Sequence, residues 1–147
     1  MDWHKNILES PAEIRNLLTQ IKTVAVLGIK TEAQADQPSF YVPSYLQSAG
    51  LEVIPVPVYY PEVTEILGRP IYRRLQDIPG KVDLVDIFRR PQDITAHLED
   101  IEAKAPKAVW FQSGIRNDEA AERLAKQGIL VVQDQCLMVE YREIQQS

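Results

Sequence analysis

Thr23-Val24-Ala25-Val26-Leu27-Gly28 is the stretch of this chain that decides its fold. It is uncharged, rich in β-branched residues and closed by a glycine. A short, continuous apolar run of this kind is typical of a parallel strand that is covered on both faces. The segment before it, residues 10–21, opens with the helix-capping pattern Ser10-Pro11-Ala12-Glu13 and continues with apolar residues at helical spacing. The sequence thus predicts a helix followed by a buried strand.

The same pairing of helix and strand repeats along the chain. Further apolar runs predict strands over residues 52–56, 82–88, 108–111 and 129–132. Helical periodicity and capping signals predict helices over residues 38–49, 91–103, 117–126 and 134–142. Because crossovers between parallel strands are right-handed, the five strands predict an α/β fold. This fold is a doubly wound, Rossmann-like parallel sheet in a single domain over residues 1–147.

Residues 57–79 interrupt this alternation, since they carry four prolines and a glycine and only weak helical periodicity. The pattern predicts a long connection with a short helix over residues 63–67 and a turn over residues 72–75. Connections of this length tend to be functional or mobile.

Length and composition exclude several classes of protein. A chain of 147 residues with 45% hydrophobic and 25% charged residues has the make-up of one globular domain, not of a disordered or collagen-like chain. Its apolar runs fall far short of the ~20 residues of a membrane-spanning helix. Cys136 is the only cysteine, so it has no partner for an internal disulfide, and residues 1–6 lack the apolar core of a secretion signal. We expect a cytoplasmic protein with no membrane association.

The charge balance bears on the ligands that the chain can take. Sixteen Lys and Arg against 21 Asp and Glu give a net charge of −5, which argues against a nucleic-acid or anionic-membrane surface. Two histidines and one cysteine also argue against a zinc site. An anionic ligand must therefore be met by a local group of cations and amides.

Ligands of open parallel sheets bind outside the carboxyl ends of the strands, beside the point where strand order reverses. Gly28 opens the loop after the first strand, and it leads to a predicted helix start at Pro38 and Ser39. Free backbone N–H groups there, together with Lys30, suit a phosphate. The alternative is that Gly28 serves only as a tight exit from the strand.

Arg89 and Arg90 follow the third strand and form the densest positive charge at this edge. Guanidinium groups bind phosphate through paired hydrogen bonds. The alternative is that they pair with carboxylates, for which Asp86, Asp93 and Glu99 are the candidates. Asp83 is expected at the start of that strand. Asp86 is expected to be buried with a hydrogen-bond or arginine partner, because an isolated buried carboxylate is costly.

Several kinds of chemistry lack their residues. The G-x-G-x-x-G turn and the acidic residue of an NAD site are absent, as are the Walker pattern and the acids of a response regulator. Ser113 lacks the G-x-S-x-G elbow of a nucleophile, and His97, in a predicted mid-helix position, is expected to be solvated or packed. Cys136 has no evident partner base. We predict no catalytic residue and no metal site.

Seven ordered blocks of this sequence resemble the family of small, stand-alone coenzyme A-binding proteins, which is similar to the N-terminal CoA-binding domain of the succinyl-CoA synthetase α subunit. The blocks lie at residues 23–28, 38–46, 53–56, 65–72, 83–91, 107–115 and 134–137. Among them are Pro38-Ser39-Phe40-Tyr41-Val42 and Asp83-Leu84-Val85-Asp86-Ile87-Phe88-Arg89-Arg90-Pro91. The resemblance covers about residues 10 to 144.

The resemblance implies a domain that holds CoA, or an acyl-CoA, across the strand carboxyl ends without catalysis, as a carrier, sensor or regulator. The residues that it places at the ligand are Gly28, Ile29, Lys30, Ser39, Tyr41, Val42, Pro57, Phe88, Arg89, Arg90, Gln112, Ser113, Gly114 and Ile115. Pro57-Val58 stands where many relatives carry Asn-Pro, and Gln135 where many carry a basic residue. The phosphorylated histidine of the synthetase belongs to a second domain, so its chemistry is not carried over.

Two other functions stay open at this point. One is a thiol-dependent enzyme for acyl transfer or CoA redox chemistry, with Cys136 as nucleophile. The other is a module for NADP or a similar dinucleotide, with Arg89 and Arg90 on the extra phosphate. The sequence does not decide whether the chain binds a partner protein or a second copy of itself.

Overall fold

The apolar runs of the sequence are the strands of one parallel sheet in the computed structural model, which describes residues 2–146. Met1 and Ser147, the ends of the predicted domain, lie outside these residues. The strands in chain order are β1 (Thr23–Leu27), β2 (Glu52–Val56), β3 (Glu65–Ile66), β4 (Arg69–Pro70), β5 (Leu84–Ile87), β6 (Ala108–Phe111) and β7 (Leu130–Val132). All but β3 and β4 belong to the parallel sheet.

The strand order of the sheet is β2-β1-β5-β6-β7, with every neighbouring pair parallel. Val26 of β1 lies opposite Asp86 of β5, and Asp86 lies opposite Trp110 of β6. The chain runs outward to β2 on one side of β1 and to β5, β6 and β7 on the other. The order therefore reverses between β1 and β5, which confirms the doubly wound α/β fold and defines its switch point.

Five α-helices pack on the sheet. They are α1 (Pro11–Leu18), α2 (Pro38–Ser48), α3 (Leu98–Lys104), α4 (Asp118–Lys126) and α5 (Leu137–Gln145). Ser10 caps α1 as the sequence predicts, because its hydroxyl oxygen accepts the Glu13 N–H at 3.2 Å. None of the helices within residues 2–146 is long and apolar enough to cross a membrane.

Two predicted helices begin later than expected. The predicted helix over residues 91–103 starts as two short 3-10 turns, Pro91–Asp93 and Thr95–His97, and becomes α-helical only at Leu98. The predicted helix over residues 134–142 starts at Leu137, since Asp134 has a φ of 57° and lies in the left-handed region.

The prediction of a short helix over residues 63–67 is wrong, because β3 and β4 form an antiparallel hairpin there. Leu67 and Gly68, with φ values of 56° and 71°, make its two-residue turn. Positive φ at both central residues gives a tight turn whose twist matches the flanking strands. The residues after the hairpin, where a turn over 72–75 is predicted, lead into a 3-10 turn at Leu75–Asp77.

Side chains of each strand alternate between two apolar layers. Val24 and Val26 face the layer that also holds apolar residues of α1, α2 and α5, while Ala25 and Leu27 face the layer that holds those of α3 and α4. Both faces of the sheet are thus covered, as the uninterrupted apolar runs predict. Because β1 and β5 are parallel neighbours, their carboxyl ends lie at the same edge of the sheet.

Candidate functional site

A cavity of about 400 Å³ opens at the switch point, beside the carboxyl ends of β1 and β5. Four chain segments meet there: the loop after β1, the start of α2, the loop after β5 and the loop after β6. The residues that line it are Lys30, Gln37, Pro38, Ser39, Phe88, Arg89, Arg90, Pro91, Gly114 and Ile115. Its position at this edge is the one that the fold predicts for a ligand.

Gly28 directly follows β1, hydrogen-bonds to the end of β2 and lies against the backbone of Phe88, the residue after β5. Its φ is +89°, and a Cβ atom at this position would lie 2.4 Å from the carbonyl oxygen of Phe88. The Gly28 N–H donates to Val56 O at 2.9 Å, and the Phe88 N–H donates to Leu27 O at 2.9 Å. Only glycine fits this close approach of two backbones. The tight exit from the strand is therefore a structural requirement, and a ligand contact of Gly28 stays a prediction.

The loop after β1 is fixed to the start of α2 by one backbone hydrogen bond, from Lys30 N–H to Ser39 O at 3.1 Å. Pro43 lies four residues after Ser39 inside α2 and has no N–H to give to that carbonyl. The proline therefore leaves the Ser39 carbonyl to Lys30. Sequence analysis missed this role, although a proline inside an otherwise helical pattern was its visible signal.

The amino end of α2 provides donors for an anion. Phe40 N–H and Tyr41 N–H donate to Gln37 O, both at 2.9 Å, and Gln37 gives the helix no side-chain cap. The amide and hydroxyl of Ser39 are not hydrogen-bonded to any other described residue. Lys30 Nζ donates to Gln37 Oε1 at the same cavity wall. Unpaired donors at the positive end of a helix dipole attract negative charge.

Arg89 is the more buried of the two arginines, with 15% of its side chain exposed. Its Nε donates to His97 Nε2 at 3.2 Å, and its Nη1 lies 3.4 Å from the Tyr59 hydroxyl. The guanidinium carbon also lies 5.7 Å from the centre of the Tyr59 ring, at cation–π distance. Asp93 Oδ2 is 3.9 Å from its Nη2. The Arg89 guanidinium is thus held from several sides.

Arg90 is 72% exposed and pairs with Asp93 through its Nε at 2.8 Å. This hydrogen bond holds the pKa of the Asp93 carboxyl below its usual value. Of the three carboxylates proposed as partners of the arginines, Asp93 is the one that the structure supplies, and neither Asp86 nor Glu99 contacts them. Because the pair is exposed, a phosphate can displace Asp93 at small cost.

Asp86 has no partner, so the prediction of a hydrogen bond or an arginine beside it is wrong. Both of its carboxylate oxygens are buried and unpaired among the described residues. Its two cross-strand neighbours, Val26 and Trp110, are apolar, and the Trp110 Nε1 donates to Gln135 O at 2.8 Å instead. Burial raises the pKa of Asp86 well above its ordinary value, which favours the neutral acid.

The family of the chain is shown by comparison with known proteins. The model of the CoA binding domain matches residues 22–142. The chain belongs to the CoA-binding domain family. An uncharacterized protein of Bacillus subtilis strain 168, YneT, is 35% identical over 133 residues, which span 90% of this chain and 94% of that one. A solved structure from Thermus thermophilus, cell-free ID.343, is 39% identical with a TM-score of 0.83, over 92% of this chain and 99% of that one.

A larger protein contains a related fold. The dinucleotide forming acetyl-coenzyme A synthetase 1 of Ca. Korarchaeum cryptofilum is 20% identical, with a TM-score of 0.62, over 80% of this chain and 27% of that one. At this identity the match shows a shared fold alone. It agrees with the resemblance to synthetase CoA-binding domains that the sequence indicates.

The loop after β6 reaches this CoA-binding domain's cavity with Gly114 and Ile115, whereas Ser113 is exposed outside it. Gln112 is buried, and its Oε1 accepts the Leu137 N–H at 3.1 Å at the start of α5. Asp134 Oδ1 accepts the Gly114 N–H at 2.6 Å. The loops after β6 and β7 therefore support each other, and the Gln112 side-chain oxygen is used within the protein.

The other predicted ligand residues lie outside the lining of the cavity. Ile29 and Val42 are buried in the apolar core, and Pro57 is buried directly after β2. Tyr41 is exposed on α2. Ile29 and Val42 can stabilise the walls, and their contact with a ligand stays a prediction. Gln37, Pro38 and Pro91 line the cavity and were not among the predicted ligand residues.

Cys136 and His97 differ in their relation to the site. Cys136 is the N-cap residue of α5 and is partly exposed, and no hydrogen bond joins its thiol to another described residue. His97 ends the second 3-10 turn and is packed against Arg89, which is one of the two states predicted for it. The structure does not test the thiol-dependent hypothesis for Cys136.

Proposed function

We propose that this chain binds CoA, or an acyl-CoA, with the phosphates of the ligand at the cavity between the start of α2 and the loop after β5. The proposal rests on one observation: a single cavity at the switch point of the sheet is lined by Lys30, Ser39, Arg89 and Arg90. Membership of the CoA-binding domain family supports the same class of ligand.

Charge supports a local phosphate site. The whole chain carries a net charge of −5, so it does not attract anions as a body. At the cavity, two guanidinium groups, one ammonium group and the amino end of α2 face one volume. Arg90 keeps its exposed Nη atoms for a ligand, because its only partner among residues 2–146 is an exposed contact at Nε. Paired N–H donors of this kind match phosphate oxygens.

We propose a non-catalytic role for the complex, in which the protein carries CoA, senses it or presents it to a partner. The nearest thiol, Cys136, has no hydrogen-bonded base, so the residues at hand favour binding over thiol chemistry. Binding of NADP by the same arginines is the competing outcome of the experiment below.

Isothermal titration of the purified chain with CoA, acetyl-CoA, dephospho-CoA and NADP⁺ tests the proposal. We expect CoA or acetyl-CoA to bind more tightly than NADP⁺. Thermal and denaturant unfolding provide a second readout, because a ligand at 100 times its dissociation constant adds about 2.7 kcal/mol to the free energy of unfolding. Absence of heat and of stabilisation with CoA and acetyl-CoA at millimolar concentration would refute CoA binding, and tighter binding of NADP⁺ would assign the site to dinucleotides.

The variant Arg90→Gln locates the binding site. We expect it to weaken CoA binding on the order of tenfold, since a hydrogen-bonded charge contributes roughly 1.5–3 kcal/mol. Arg142→Gln is the matched control, because Arg142 is an exposed arginine in the last turn of α5, outside the cavity lining. Equal affinities of the two variants would exclude Arg90 from the site.

A further inference from the structure

The two neighbouring arginines of the cavity are held in different ways. Arg90 is 72% exposed and has one ion-pair partner. Arg89 is 15% exposed, and the acceptor of its Nε–H is a histidine nitrogen rather than a carboxylate. Asp93 Oδ2 also lies 3.9 Å from the Arg89 Nη2, so a carboxylate is near the guanidinium. The neutral imidazole fixes the orientation of the guanidinium at Nε without adding a negative charge. The hydrogen bond from Arg89 therefore gives His97 a role beyond packing in the protein interior.

We propose that His97 is the positioning residue of Arg89: its Nε2 accepts the Nε–H of Arg89 and holds the guanidinium at the phosphate cavity. Tyr59 also contacts the guanidinium, through its hydroxyl at 3.4 Å from Nη1 and through its ring face. The inference rests on the proposed CoA function and names a residue that determines how tightly that site binds.

The hydrogen bond assigns the protonation state of the ring. Because Nε2 accepts from Arg89, the neutral ring carries its proton on Nδ1. A doubly protonated imidazolium has no acceptor and repels the guanidinium, so protonation of His97 releases Arg89. The contact therefore exists only while the ring is neutral.

The groups around His97 come from three elements. Arg89 faces it from the end of β5, Asp93 from the first 3-10 turn, and Asp100 from α3, where Asp100 also pairs with Arg74 at 2.8 Å. Burial first, and then the charge of Arg89, lowers the pKa of His97 below its usual value, although the two carboxylates act in the opposite direction. The ring is thus neutral at pH 7 and ready to accept.

Orientation matters for affinity because a free arginine side chain loses rotamer entropy when it binds. A guanidinium that is already held loses less, so the same phosphate contact contributes more to binding. His97 contacts the guanidinium but does not line the cavity itself. Its effect on a ligand must therefore pass through Arg89.

A double-mutant cycle tests this dependence. In the wild-type background we expect His97→Leu to weaken CoA binding about fivefold, and His97→Gln, whose side-chain oxygen can accept the Nε–H, to retain most of the affinity. In an Arg89→Gln background, the His97→Leu change is expected to have no further effect. Thermal unfolding of each variant shows whether the effect follows lost stability, and His97→Gln supports the test if His97→Leu folds poorly.

A pH series adds a readout that packing alone would not change. As pH falls below 6.5, wild type is expected to lose CoA affinity faster than His97→Gln, because only the imidazole gains a proton. Protonation of the CoA phosphates is common to both proteins and cancels in the ratio. In ¹⁵N NMR spectra without ligand, the Arg89 Nε–H signal is expected to shift with the titration of His97, while the Arg90 signal does not.

The outcomes distinguish failure of the proposed function from failure of the positioning role. If wild type binds no CoA, both the proposed function and this role of His97 fail. If CoA binds but His97→Leu has the same effect with and without Arg89, or if acidification tightens binding in wild type relative to His97→Gln, only the positioning role is overturned. An Arg89 Nε–H signal that ignores the His97 titration overturns it as well.

Discussion

Strand β5 and the loop that follows it place charged residues in opposite environments within residues 86–90. In the buried middle of the strand, Asp86 lies between Val26 and Trp110 with no partner for either oxygen. At its carboxyl end, Arg89 and Arg90 have hydrogen-bond partners and line an open cavity. The core tolerates the acid because burial favours its neutral form, whereas the edge keeps its charges ionised and accessible. A charged residue in the buried middle of this strand is closed off from a ligand, whereas one directly after the strand is available to it.

The largest effect on stability is expected at Gly28, where the backbone after β1 lies close to the backbone after β5. Gly28→Ala places a Cβ atom 2.4 Å from Phe88 O at a positive φ, so we expect a loss of about 3 kcal/mol in the free energy of unfolding. Denaturant unfolding measures it. Gly128→Ala is the control, because Gly128 has a similar φ of +86° and open space around it.

The control variant is expected to lose only the cost of the left-handed backbone, about 1–2 kcal/mol. The difference between the two alanine variants thus isolates the close approach of β1 and β5. Equal losses would contradict the role that we give to Gly28.

A smaller effect is expected in the buried middle of β5. The pKa of Asp86 is raised in the folded protein, so its contribution to stability is full below the unfolded value of 3.8 and is lost as pH rises through the folded pKa. Asp86→Asn cannot ionise. We therefore expect the variant to equal wild type near pH 4 and to be more stable at pH 8 by roughly 1–3 kcal/mol.

Urea unfolding of both proteins across this pH range checks the prediction, since the titration of all other groups is common to the pair. A stability difference that stays constant from pH 4 to pH 8 would show that Asp86 does not titrate with a raised pKa. Such a result would contradict the contrast between a buried, neutral Asp86 and the ionised arginines that follow β5.

The smallest effect is expected for a change at Asp93, beside the cavity, and it concerns the affinity for CoA. Asp93 pairs with Arg90, so in the proposed complex it competes with the phosphate for this arginine. Asp93→Asn is expected to tighten CoA binding about threefold, in the range of an exposed ion pair. Calorimetry at low salt measures this change. Weaker binding in the variant would mean that Asp93 orients Arg90 for the ligand instead of competing with it.

The sheet and its switch point could be predicted from the sequence because buried parallel strands leave continuous apolar runs, such as Thr23–Leu27. The hairpin at Glu65–Pro70 could not, since a positive φ at Leu67 is unusual for that residue and its periodicity is weak. Tertiary pairing of β4 with its neighbours decided that segment.

The cations of the cavity were also visible, because Lys30, Arg89 and Arg90 follow strand ends in the sequence. The hydrogen-bond partners of these residues could not be predicted from the sequence. The Arg89–His97 hydrogen bond spans two 3-10 turns, Pro91–Asp93 and Thr95–His97, where the sequence predicts one α-helix. Asp86 shows the same limit, since a sequence shows that an acid lies in a buried strand but not whether another group satisfies it.

Mapping of backbone amide shifts on titration with CoA tests the central claim most directly. We expect the largest ¹H–¹⁵N changes at Lys30, Ser39, Arg89, Arg90 and Gly114, and small changes at residues 52 and 108, which lie at the amino ends of β2 and β6. Changes concentrated at the amino ends of the strands, or their absence at saturating CoA, would contradict a phosphate site at the carboxyl edge between β1 and β5.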